Sequence, residues 1–188
     1  MDKYLQDFLG VVVPTDIIGE DCEVVESLTN ERVREILAER EPQLYVDKAV
    51  FLNSDGKSMV LATVPVTEKM CKGHFDWFPM MPLALLGQAT AQAGAILVSL
   101  ISEINSGKIP LVVHVHNIRS ISSKKKAVQK DFIVPGDNML VVATYLGGKF
   151  GFHKVTAVDY VSDIMMGMME EIAYVLVDRS YFRNGEGK

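Results

Sequence analysis

The chain has 188 residues, a hydrophobic share of 48% and a formal net charge of −5. That length suits one domain with a substantial core, and the acidic balance argues against a nucleic-acid binder. Its two cysteines, Cys22 and Cys71, form neither a metal-binding or redox motif nor a disulfide framework.

Residues 1–28 mix short apolar runs with Gly10, Pro14 and Gly19 and carry no catalytic signature. They read as an N-terminal appendage packed on a domain spanning 29–180, with 181–188 as a C-terminal tail. The opening MDKYLQDFLGVVVPTD places acids early and has only a short apolar run, unlike a signal peptide, so a cytoplasmic location is the expectation. Asn30 reads as the N-cap of a short helix reaching about residue 39, with Glu31 in its first turn and Arg40-Glu41-Pro42 breaking it. Two β-rich runs, 44–52 and 58–66, flank Asn53-Ser54-Asp55-Gly56, a strong hairpin signal.

The stretch around which the rest is organised covers residues 71–94, CKGHFDWFPMMPLALLGQATAQAG. It opens with a loop holding His74 in Gly73-His74-Phe75, punctuated by Pro79 and Pro82; Pro82 is well placed as the first-turn proline of a helix. Residues 83–101 read as that helix, with Gln88 and Gln92 four apart and therefore on one face. Its length would suit a membrane span, but Gln88, Thr90 and Gln92 cluster at its centre. Ala84, Gly87, Ala89, Ala91, Ala93, Gly94 and Ala95 would instead let a sheet approach closely, so a buried core helix is expected.

Strands are expected at about 111–121, 127–134, 139–146, 152–161 and 164–177, with Pro135-Gly136-Asp137 and Gly147-Gly148 as turns. The plan is α+β: one long apolar helix embedded in an antiparallel sheet. His114 and His116 share a strand face at a spacing that can ligate zinc, but no third ligand is identifiable, so no metal is expected. His153 reads as a strand residue. Met165, Met166, Met168 and Met169 read as core or dimer packing, and Glu170-Glu171 as a bulge or exposed edge.

Several local strings resemble the hot-dog fold, and specifically the β-hydroxyacyl-acyl-carrier-protein dehydratases. The family's H-R-x-P-F-L-x-V-D-R string is similar to residues 39–48, EREPQLYVDK, and its loop G-H-F-P-G-x-P-x-M-P-G to residues 73–83, GHFDWFPMMPL. The helix string E-A-x-A-Q-A-G is similar to Gln88-Ala89-Thr90-Ala91-Gln92-Ala93-Gly94, and V-P-G-D recurs as Val134-Pro135-Gly136-Asp137. The resemblance covers about residues 31–178 and implies an antiparallel sheet wrapped around one central helix. It also implies a homodimer or higher oligomer with sites built across subunits, acyl carrier protein or coenzyme A thioesters as partners, and no cofactor.

On that resemblance His74 is the catalytic histidine, Gln88 stands where the family has its carboxylate, and the Leu83 N–H stands where a backbone amide holds the thioester carbonyl. Gly73 and Phe75 belong to the substrate loop, and Gln92 is expected to hydrogen-bond that loop's backbone. Lys124, Lys125, Lys126 and Lys130 match a basic segment on which the carrier docks, and Trp77 replaces a glycine at the tunnel mouth. Dehydration needs a base for the α-proton, a polarised carbonyl and a proton for the departing hydroxyl. Imidazoles suit the first task near neutral pH, whereas an amide can only hydrogen-bond the hydroxyl or a water. Asp76 is a candidate substitute acid. A thioesterase using His74 and the two glutamines to orient water, and a non-catalytic acyl-thioester binder, stand as alternatives.

Overall fold

The computed structural model describes residues 1–75, 77–102, 107–120 and 132–180. The elements run α1 (Asp2–Leu9), β1 (Cys22–Leu28), α2 (Asn30–Ile36), β2 (Lys48–Ser54), β3 (Lys57–Pro65), α3 (Glu68–Cys71) and α4 (Leu83–Ile101). They continue as β4 (Lys108–Ser120), β5 (Asn138–Lys149), β6 (Phe152–Val161) and β7 (Ile164–Asp178). The strands form one seven-stranded sheet in the order β1-β2-β3-β5-β6-β7-β4, and every neighbouring pair is antiparallel. The sheet curves around α4, whose Leu86, Ala89, Ala93, Ile96, Leu97 and Val98 belong to the main core. The helix is long and apolar enough to cross a membrane, but the sheet buries most of it.

The near-continuous apolar run of β3 follows from burial on both faces, since side chains alternate across a strand. Val60, Ala62 and Val64 pack toward α4, while Met59 and Leu61 pack outward with Val50, Leu52, Leu140 and Val142. What they meet outside is the N-terminal segment: Leu5 and Leu9 of α1, and Val13. Each such leucine, 0–2% exposed, is worth about 2–3 kcal/mol of apolar burial. Residues 22–28, read from sequence as part of an appendage, are the edge strand β1 and extend the sheet beside β2.

Other boundaries shift for identifiable reasons. Thr29, in extended conformation, is the N-cap of α2, so Asn30 is its first helical residue and the helix ends at Ile36 rather than 39. The β2–β3 turn lies at Asp55-Gly56, both at positive φ (49° and 73°), as a two-residue hairpin requires. Residues 44–47 precede β2 instead of opening it: the Tyr45 and Val46 N–H groups bond to the Gln92 side chain of α4, and only Asp47 N reaches the neighbouring strand, at Thr63 O. Gly147 and Gly148 sit inside β5 at a register shift, and Phe150-Gly151 makes the turn. Of the strand expected over 127–134, residues 132–134 are loop and the remainder lies outside the described residues. Glu170 and Glu171 fall at the register shift between β6 and β7, so the bulge is present, but β7 is an interior strand and not an edge. The methionines divide: Met166 and Met169 are in the core, and Met165 is 36% exposed.

One close approach locks α4 in place. Tyr174 Oη of β7 donates to Ala91 O at 2.7 Å, and a Cβ at Gly94 would stand 2.2 Å from the Tyr174 hydroxyl oxygen. Only glycine fits there.

Candidate active site

The His74 loop is tied at both ends. At the base, Val66 N donates to Asp137 O (2.8 Å) and Gly136 N to Val66 O (2.9 Å), so the Val134–Asp137 turn clasps the end of β3. Asp137 Oδ2 also accepts from Val134 N at 2.8 Å, closing the turn on itself. At the far end, Met81 N donates to Ile133 O (2.8 Å) just before α4 begins. Gly73 has φ 82°, the left-handed region that a side chain disfavours. That bend presents His74, whose ring lies 4.3 Å from the ring of Phe75. His74, Phe75, Trp77, Phe78, Met80 and Phe132 wall an open, almost wholly apolar cavity of about 490 Å³. Gly73 and Phe75 also line a neighbouring, larger cleft with Cys71, Lys72 and Pro135. Burial first, and then the Asp137 charge, push the Cys71 thiol up, which keeps it an unreactive core group.

Pro82 is the N-cap of α4, not its first helical residue. Its carbonyl accepts from Leu85 N and Leu86 N, both at 3.0 Å. No described residue accepts from the Leu83 N–H, one of the amides that a helix start leaves unpaired. Leu83 itself is 45% exposed.

The two glutamines differ. Gln92 Oε1 accepts from Tyr45 N (2.9 Å) and Val46 N (3.4 Å), and its Nε2 donates to Gln43 O (2.6 Å). It therefore pins residues 43–46, and not the His74 loop as expected from sequence. Gln88, half-buried, receives one bond, from Tyr45 Oη at 3.3 Å. Burial raises the Tyr45 phenol, which keeps it a donor. With its oxygen accepting, Gln88 presents its NH₂ as a donor group. Tyr45 was not singled out by sequence, because its partner is 43 residues away. Among the described residues no hydrogen bond joins Gln88 to His74.

On the opposite side of α4 lies a carboxyl that sequence reasoning missed. β6 alternates, burying Val155, Ala157, Asp159 and Val161 in turn, so Asp159 takes an inward position. It is 1% exposed. Thr90 Oγ1 stands 2.8 Å from both Asp159 Oδ1 and Leu86 O. Desolvation lifts the carboxyl to about 7, partly offset by the Thr90 hydrogen bond. A protonated Asp159 can donate to Thr90 while Thr90 donates to Leu86 O, which satisfies both hydroxyls. The period-two pattern of 155–161 with one acid at an apolar position was the available signal.

His114 and His116 lie on β4 with rings 6.3 Å apart, and His116 Nε2 contacts Asn117 Nδ2 at 3.2 Å. His153 is a strand residue of β6, its Nδ1 3.1 Å from Tyr145 Oη, and burial lowers its basicity. Asp76, Lys124, Lys125, Lys126 and Lys130 lie outside the described residues.

A seven-stranded antiparallel sheet wrapped on one long helix defines a hot-dog fold. No protein-family model matches the chain. Comparison with curated proteins is more specific. The chain is 32% identical over 127 residues to the 3-hydroxyacyl-[acyl-carrier-protein] dehydratase FabZ of Ruminiclostridium cellulolyticum, covering 68% of this chain and 82% of that protein. The chain belongs to the FabZ family of 3-hydroxyacyl-[acyl-carrier-protein] dehydratases. Among solved structures, the dehydratase heterocomplex ApeI:P from Xenorhabdus doucetiae superposes with TM-score 0.60 at 12% identity, over 83% of this chain and 97% of that one. The thioesterase HI1161 from Haemophilus influenzae gives TM-score 0.57 at 11% identity, over 81% and 93%. At such identities the two structures speak to the fold alone.

Proposed function

We propose that this protein removes water from 3-hydroxyacyl thioesters carried on acyl carrier protein. The observation that carries the reading is the His74 imidazole in the wall of an apolar cavity, in the loop that precedes α4, in a chain of the FabZ family. His74 takes the α-proton, and the Leu83 N–H holds the thioester oxygen as negative charge builds on it. The Gln88 NH₂ hydrogen-bonds the departing hydroxyl. The Cα–H and Cβ–O bonds break, a Cα–Cβ double bond forms, and the imidazolium returns its proton to the hydroxyl, which leaves as water.

The 3-hydroxyacyl-[acyl-carrier-protein] dehydratase relatives favour this over hydrolysis, and the Gln88 NH₂ suits it as a donor to the departing hydroxyl. Gln92, occupied by three backbone partners, has little left for a substrate or a water. The reading includes a homodimer: β4 ends the sheet, has no strand on its outer side among the described residues, and exposes Val112, Val113 and Ile118. A second copy there is the means by which His74 of one subunit would meet Gln88 of another. Lys124, Lys125, Lys126 and Lys130 are the proposed contacts for an acidic carrier, an attraction that salt weakens.

Mass spectrometry of 3-hydroxyacyl-carrier-protein substrates tests this. Wild type is expected to leave an acyl group lighter by one water, and His74→Ala to leave it unchanged. Release of free acid by wild type would transfer the protein to the thioesterases. Tight binding of the acyl carrier with neither product would make it a binding protein.

A further inference from the structure

The cavity beside His74 is walled mostly by rings, whereas aliphatic side chains dominate the main core. Phe75 and Trp77 lie 5.8 Å apart (37° between planes), Trp77 and Phe78 6.1 Å (37°), and Phe78 and Phe132 5.3 Å (72°). The ladder thus runs continuously from the imidazole to Phe132, a residue brought in from 54 positions further along the chain. Its rings are not spent on the core. Trp77 is 83% exposed, and Phe75 and Phe132 are each 45% exposed.

We infer that this ladder is a specificity cleft for acyl thioesters whose chain carries an aryl group, seated against Trp77, Phe78 and Phe132. The inference rests on the reading of the His74 loop as the acyl-thioester site. A saturated chain is served by any apolar wall, whereas tilted rings with uncovered faces and edges reward a partner with its own π-system, through offset and edge-to-face contacts. Space is sufficient: a cavity of roughly 150 Å³ holds a benzene ring, and this one measures about 490 Å³. Met80, on the same wall, adds a pliable thioether that makes favourable contacts with ring edges. Position matters as much as size. An acyl group whose reacting carbons lie at His74 would extend directly along the ladder.

Trp77 is the only tryptophan in the chain, so its fluorescence reports on the cleft alone. The probes are unreactive amide analogues of acyl pantetheine carrying either a cinnamoyl or an octanoyl group. They are titrated into the full chain by calorimetry and by Trp77 fluorescence. The cinnamoyl probe is expected to bind about tenfold more tightly, as one or two aromatic contacts would give, with a change in Trp77 emission. Trp77→Leu and Phe132→Leu keep an apolar wall and remove a ring, and each is expected to bring the ratio toward one. Equal or tighter octanoyl binding, or a ratio that survives both leucine variants, overturns the assignment. So does loss of an oligomer in Trp77→Leu with the ratio unchanged, which would make the ladder a contact between copies. Failure of the underlying reading looks different: the aryl preference would persist while wild type releases no water from any carrier-borne 3-hydroxyacyl group.

Discussion

Gln88 and Gln92 are the same side chain one helical turn apart on α4, yet the fold has used them in opposite ways. Gln92 is 2% exposed and its amide is engaged by three backbone groups of residues 43–46. Gln88 is half-buried, touched by one phenol, and keeps donors to spare. A saturated buried amide is a fastener. An amide fixed at one end and open at the other is a tool. The helix supplies both because a spacing of four puts them on one face while the depth of the sheet differs along it.

The largest effect that bears on this contrast is on chemistry. If Gln88 only assists, His74→Ala should lower turnover by about two to four orders of magnitude, read as water loss per unit time. Unfolding in denaturant should hardly change, because the imidazole packs on Phe75 in an open loop. A loss of stability that matched the loss of rate would mean that His74 is itself part of the scaffold.

Next in size is the buried acid on the other side of α4. Asp159 has an ordinary value of 3.8 and titrates near 7 when folded. The native state therefore keeps a proton that the unfolded chain has already lost, and stability falls as pH rises between those values. The full difference is on the order of 4 kcal/mol. Asp159→Asn should match wild type near pH 4 and exceed it in denaturant stability at pH 8. Parallel curves for the two proteins would show that the carboxyl is already ionised in place.

Gln92→Ala comes third. It strands the Tyr45 and Val46 N–H groups in the interior, at about 1–3 kcal/mol for each group not reached by water, while the carbonyl of Gln43, an exposed residue, can turn to solvent. A loss of roughly 3 kcal/mol in unfolding free energy is expected. Tyr45→Phe is the smallest: releasing the Gln88 oxygen should cost about fivefold in kcat, near 1 kcal/mol, with KM unchanged. An effect confined to KM would place Tyr45 on the substrate instead.

Much of this is legible in the sequence alone. The hairpin at Asp55-Gly56, the small-residue face of α4 and the His74 loop all rest on local chemistry, and local chemistry is what a sequence displays. What escaped depends on partners far along the chain. β1 is polar on one side and lies in a stretch with no periodic neighbour, so only its pairing with β2 reveals it as a strand. Gln92 was expected on the nearby loop because proximity in sequence is the only guide available, while its partners lie 46 to 49 residues upstream. Tyr45 at Gln88, and Phe132 at Phe78, are long-range meetings of the same kind.

Gln88→Ala tests the central contrast most directly, with unfolding free energy and water-loss rate measured on one preparation. The account predicts stability within about 0.5 kcal/mol of wild type, as for changes away from saturated buried groups, and a rate at least tenfold lower. A variant destabilised as much as Gln92→Ala but turning over normally would contradict it, and would make both glutamines fasteners.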